Sequence, residues 1–132
     1  MEETPKITFA EPRSIFCVED DVDTCEVLTI LLREYRFGFV HTIYEAMKRL
    51  AAGRDDLYIL DNWLPDGSGV DICRRIREIY ADAPILFTSA VAGKTDVDLA
   101  MHAGANQYLL KPCEPETLQR VVKELLYRTT DF

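Results

Sequence analysis

The chain predicts an α/β domain, a parallel sheet covered on both faces and built from five strand–helix repeats. Two observations carry this. Apolar runs of four or five residues, without strict alternation, recur between longer segments whose apolar residues fall at helical spacing. The two kinds of segment also alternate from one end of the chain to the other, as parallel strands joined by crossover helices do. A length of 132 residues suits a single hydrophobic core.

Ser14 to Val18 (SIFCV) is the first strand, ending at the acidic cluster Glu19-Asp20-Asp21. Asp23 with Glu26 three residues later is a capping-box pattern, followed by Leu28, Leu31, Leu32 and Tyr35 on one helical face. Gly38 is expected to close that helix, with Phe39 to His41 as the second strand. Thr42 and Glu45 repeat the capping pattern ahead of Ala46, Met47, Leu50 and Ala51. Gly53 to Asp56 is a polar turn, its two aspartates expected in solvent, and Leu57 to Leu60 is a third strand running into Asp61. Pro65 to Gly69 turns the chain into a third helix capped by Ser68 and Asp71, with Ile72, Cys73, Ile76, Ile79 and Tyr80 as its apolar stripe. Pro84 opens a fourth strand, Ile85 to Thr88. Thr95 and Asp98 are candidate caps for a short fourth helix that Gly104 stops. Tyr108 to Leu110 is the fifth strand, ended by Lys111-Pro112. Pro115 stands at the first position of a last helix with the stripe Leu118, Val121, Val122, Leu125 and Leu126. Residues 14–128 form the domain, with 1–13 and 129–132 as flexible tails.

Composition excludes several classes. A net charge of -8 repels phosphate backbones and anionic membranes, so neither nucleic acid nor membrane is an expected partner. No apolar run has the roughly 18 residues of a membrane span, and the opening MEETPKITFAEPR lacks the apolar core of a secretory signal. Cys17, Cys25, Cys73 and Cys113 are widely spaced and form no C-x-x-C pair, as expected of reduced thiols in the cytoplasm rather than a disulfide or zinc framework. His41 and His102 have no companions at metal-ligand spacing.

In open parallel sheets, ligands bind beyond the carboxyl ends of the strands. Glu19 and Asp20 follow the first strand, Asp61 the third, Ser89 the fourth and Lys111 the fifth. Three carboxylates together repel and call for a hard divalent cation, Mg²⁺ or Mn²⁺. A lysine and a hydroxyl add a point charge and a donor for phosphate oxygens. These are the components of phosphoryl transfer, whose catalysis is mainly positioning and charge stabilisation.

The ordered set Glu19-Asp20, Asp61, Ser89, Lys111-Pro112 resembles the receiver domain of two-component response regulators, over roughly Arg13 to Tyr127. The segments LPDGSG, APILFTSA and AGANQYLLKP are similar to the family's loops and strands. The resemblance implies a flavodoxin-like sheet of strand order 2-1-3-4-5. It implies that Asp61 accepts a phosphoryl group from a sensor histidine kinase or a histidine phosphotransfer protein. Asp20, Asp61 and the Trp63 carbonyl would ligate the metal, Glu19 would act through water, and Lys111 would pair with the acyl phosphate. Ser89 would move towards the phosphoryl group while Tyr108 changes rotamer, altering the face made by the fourth helix, fifth strand and fifth helix. A cis Lys111–Pro112 bond is implied too. Cys113 departs from the aromatic residue often found at its position in the family.

The expected function is thus a phosphoaccepting signalling domain, without an output domain in this chain, acting on an unidentified downstream protein as a monomer or a phosphorylation-dependent dimer. It is not expected to be an enzyme beyond catalysing its own phosphorylation and dephosphorylation. A haloacid-dehalogenase-type phosphatase would need an acid/base aspartate two residues after the nucleophile, where Trp63 stands. A pseudo-receiver, an interaction module that is never phosphorylated, is the remaining alternative. Trp63 and Val91 flank the expected path of a hydrolytic water; both are apolar, which implies a long-lived acyl phosphate.

Overall fold

The computed structural model describes residues 11–90 and 93–128. Val91 and most of the two expected tails (1–10 and 129–132) lie outside the described residues. In chain order the elements are β1 (Ser14–Val18), α1 (Val22–Leu31), β2 (Arg36–Val40), α2 (Ile43–Ala52), β3 (Leu57–Leu60), α3 (Gly69–Ile79), β4 (Ile85–Ser89), α4 (Lys94–Ala103), β5 (Gln107–Leu110) and α5 (Pro115–Leu126). A small antiparallel hairpin, Trp63–Leu64 against Gly67–Ser68, lies between β3 and α3. The five main strands pair in parallel in the order β2-β1-β3-β4-β5. This is the flavodoxin-like order 2-1-3-4-5, and its switch point lies between β1 and β3.

Strand periodicity explains why the strand sequences show no polar face. Phe16 and Val18 of β1, Tyr58 and Leu60 of β3, and Ile85 and Phe87 of β4 face one core, shared with Leu50 of α2, Ile72 and Ile76 of α3, and Ala100 of α4. Their neighbours Ile15, Cys17, Leu57, Ile59 and Leu86 face the other, closed by Leu28 and Leu32 at α1 and by Leu118, Val121, Val122, Leu125 and Leu126 of α5. Each apolar residue of the three central strands therefore meets one of two apolar layers. Burial pushes the Cys17, Cys25 and Cys73 thiols above their ordinary range, as befits inert core thiols.

Several local expectations are corrected. The N-cap of α1 is Asp21, whose carboxylate accepts the Thr24 N–H at 3.0 Å, and Asp23 sits in the first turn, where its charge favours the helix dipole. Gly38 does not end α1; it lies in the middle of β2 opposite Phe16, and α1 ends where the Leu32 N–H donates to Leu28 O. The fourth helix begins at Lys94 behind Gly93 with no side-chain cap, so Thr95 and Asp98 are interior. Ile79 is 40% exposed rather than core. Asp55 is not solvated: it is buried and receives two hydrogen bonds from Arg49, at 2.9 and 3.2 Å.

The other caps fall where expected. Thr42 accepts from Glu45 N, Ser68 from Val70 N, and Pro115 opens α5. Gly104 ends α4 at φ 115°, and a Cβ there would lie 2.7 Å from Arg77 Nε. Arg77 needs that space. Its guanidinium donates to Gly104 O, Ala83 O and Asn106 Oδ1, binding the end of α3 to the α4–β5 turn.

Candidate functional site

The parallel ladder continues one bond past the ends of the central strands. Glu19 N donates to Val40 O and Asp61 N to Val18 O, each at 3.0 Å. Backbone pairing therefore fixes both acidic residues on rigid supports at the carboxyl edge of the sheet. Glu19 is 1% and Asp61 7% exposed, whereas Asp20 points into solvent. One carboxylate oxygen from each of Glu19, Asp20 and Asp61 lies within 4.8 Å of the others.

Lys111 reaches this cluster from the end of β5. Its Nζ donates to Glu19 Oε1 and, at 3.2 Å, to Asp61 Oδ2. Its backbone N–H donates to Ser89 O at 2.9 Å, and the following peptide bond to Pro112 is cis. Three carboxylates against one ammonium leave the cluster short of positive charge. Burial pushes the Glu19 carboxyl upward, the Lys111 hydrogen bond opposes that, and Asp61 adds to it. For Lys111, burial disfavours the cation, but the Glu19 hydrogen bond and the charges of Asp61 and Glu19 outweigh it, holding the ammonium above its ordinary range. The remaining Glu19 oxygen accepts Asp21 N–H at 3.2 Å, and Asp61 Oδ1 accepts Trp63 N–H at 3.3 Å. A clustered set of hard oxygen donors with uncompensated negative charge fits a small divalent cation.

Glu19, Asp20, Asp61 and Lys111 are thus brought together. Ser89, wholly buried, ends β4 and is tied to Lys111 through the backbone; Tyr108 stands one strand further out, its ring stacked on Phe87 at 5.8 Å. Trp63 lies beside Asp61 through its backbone, but its indole is 64% exposed. Three residues escaped the sequence reading. His41 Nδ1 lies 2.8 Å from Glu19 O, so this histidine supports the acidic turn. Gly69 begins α3 so close to β3 that its N–H donates to Asn62 O at 3.0 Å and a Cβ would lie 2.1 Å from Asp61 O. Asn62, buried directly after Asp61, hydrogen-bonds both Ser68 and Tyr108. Asn62, set between Asp61 and Trp63, carries no signal of these partners in the sequence; the glycine at the start of a capped helix is the nearest to one.

A sequence model of the family described as the response regulator receiver domain matches residues 15–123. The DNA-binding response regulator MtrA of Mycobacterium tuberculosis is 37% identical over 120 residues, covering 89% of this chain and 52% of its own. The transcriptional regulatory protein CreB of Escherichia coli is 29% identical over 123 residues, with 90% and 53% coverage. The chain spans about half the length of these relatives. A putative response regulator from Chloroflexus aurantiacus superposes with TM-score 0.84 at 32% identity, over 89% of this chain and 100% of that one. The receiver domain of sensor histidine kinase PA1611 from Pseudomonas aeruginosa, solved with magnesium coordinated in its active site cleft, superposes with TM-score 0.79 at 29% identity, over 87% and 98%.

Proposed function

Because the chain belongs to the response regulator receiver domain family, we propose that Asp61 accepts a phosphoryl group from a phosphohistidine on a sensor histidine kinase or a histidine phosphotransfer protein. The observation that carries this reading is Lys111 Nζ seated against both Glu19 and Asp61, inside a carboxylate cluster held by an extended parallel ladder. An Asp61 carboxylate oxygen forms the new bond to phosphorus as the phosphorus–nitrogen bond to the histidine breaks. Lys111 then pairs with the phosphoryl oxygens of the acyl phosphate, and the Ser89 hydroxyl donates to them. Asp20, Asp61 and the Trp63 carbonyl would hold Mg²⁺ or Mn²⁺, with Glu19 acting through water. When bound, the cation offsets the charge of the carboxylates and of the incoming phosphoryl group.

The phosphoryl group adds roughly -1.5 to -2 charge, which Ser89 and Lys111 answer by moving towards it. Tyr108 follows, and the face made by α4, β5 and α5 changes for a downstream protein or for a second copy of the domain. Beside the acidic site, α1 exposes Val22, Val27 and Ile30, an apolar surface for a protein donor to meet. Among the described residues no helix is long and apolar enough to cross a membrane, and the reading places the domain with its donor in the cytoplasm.

Incubation with acetyl phosphate and Mg²⁺, followed by intact-mass measurement, tests the assignment. A single phosphoryl adduct on the wild type, absent from Asp61→Asn and from metal-free samples, is the expected result. No adduct on the wild type would turn the reading into that of a pseudo-receiver.

A further inference from the structure

Asn62 follows the phosphoacceptor, is 4% exposed, and uses both ends of its amide. Ser68 Oγ donates to Asn62 Oδ1 at 3.0 Å, and Asn62 Nδ2 donates to the Tyr108 hydroxyl oxygen at 3.3 Å. Ser68 Oγ itself accepts the Val70 N–H at 3.1 Å. A chain of hydrogen bonds therefore runs from the first turn of α3, through Asn62, to an aromatic ring on β5. Every donor points the same way along it, so the bonds polarise one another. The backbone of Asn62 is held as well, its carbonyl accepting Gly69 N–H at 3.0 Å. Asn62 cannot shift without moving either Asp61, which precedes it, or the start of α3.

The geometry points to Asn62 as a positioning residue that couples the orientation of Tyr108 to the Asp61–Gly69 loop. The amide holds the Tyr108 hydroxyl where it stands. Reorienting the ring removes the acceptor from a buried Nδ2, a cost that packing alone would not impose. A change in the loop that turns the amide releases the ring in the same way. The use of this coupling for signalling rests on the phosphoacceptor role proposed for Asp61; the coupling itself does not.

Two measurements test it. In the unphosphorylated protein labelled with ¹³C in its tyrosine rings, Asn62→Leu is expected to move the Tyr108 resonance and raise its minor rotamer roughly two- to tenfold, the range of a net neutral hydrogen bond. An unmoved resonance would overturn the inference. The second measurement is the affinity for beryllofluoride with Mg²⁺ in the wild type, Asn62→Leu, Tyr108→Phe and the double variant. Asn62→Leu is expected to change that affinity by a similar roughly two- to tenfold factor in the wild type, and by less than about 1.5-fold in the Tyr108→Phe background. Equal factors in both backgrounds would show that Asn62 acts without the Tyr108 hydroxyl and would overturn the coupling. Asn62→Ser serves in both measurements if Asn62→Leu does not fold. If the wild type binds no beryllofluoride, the phosphoacceptor reading fails, while the ring resonance still decides the role of Asn62.

Discussion

Gly69→Ala is the sharpest test of how the Asp61 end of β3 is held. A Cβ at this position lies 2.1 Å from the Asp61 carbonyl oxygen and 3.1 Å from its carbon. Close carbon–oxygen contacts settle near 3.3–3.6 Å, so the alanine is short by roughly 1 Å or more. Both partners are backbone, and no side-chain rotation relieves the clash; α3 must move away from β3. Overpacking of this kind costs about 1–3 kcal/mol. Weakening the Gly69 N–H to Asn62 O bond and the Ser68 cap adds about 1 kcal/mol each. The expected loss is therefore about 3–5 kcal/mol, a drop in Tm of roughly 10–20 °C. Urea unfolding followed by far-UV circular dichroism measures it, and the single tryptophan, Trp63, reports the site in the same titration. Gly38→Ala is the control: no atom lies within 4 Å of its Cβ, and β2 accommodates a side chain there. Its stability is expected within about 0.5 kcal/mol of the wild type. A Gly69→Ala loss below about 1 kcal/mol would refute the close approach of α3 to Asp61.

Other outcomes follow from the site and its supports. Lys111→Met leaves Glu19 and Asp61 without their cation, and is expected to lower metal-free stability by about 1–3 kcal/mol while tightening Mg²⁺ binding, read by melts with and without the metal. Trp63→Asn places a polar side chain beside the acyl phosphate proposed on Asp61 and is expected to speed its hydrolysis roughly tenfold, followed as the decay of the adduct mass. Asp66 accepts the Ile43 and Tyr44 N–H groups at the start of α2, and these bonds hold its carboxyl below the ordinary value of 3.8. A depressed carboxyl stabilises the fold above its unfolded pKa and loses that contribution as pH falls through the folded one. The Tm gap between the wild type and Asp66→Asn should thus be present at neutral pH and close below the ordinary aspartate range.

Much of this molecule is legible in its sequence because the relevant physics is local. The caps at Thr42, Ser68 and Pro115 and the stop at Gly104 depend on a few adjacent backbone groups, and each occurs as its residue types imply. The acidic site is legible for a related reason: in a parallel sheet, strand ends converge, so Glu19, Asp20, Asp61 and Lys111 can be assigned to one edge before any distance is known. Tertiary structure decided what depends on partners distant in the chain. Asp55 and Asp56 read as a solvated pair, until Arg49 and the Ser14 amide are brought to them. Nothing in the sequence around Arg77 marks its role, yet it closes the α4–β5 turn 27 residues on. Gly38 resembles a helix stop because glycine is common there, whereas pairing with β1 draws it into a strand. Asn62 is the clearest case. Its neighbour Asp61 stands out at a strand end, but its own partner, Tyr108, is 46 residues away, and only the packing of β5 beyond β4 makes that amide part of the site.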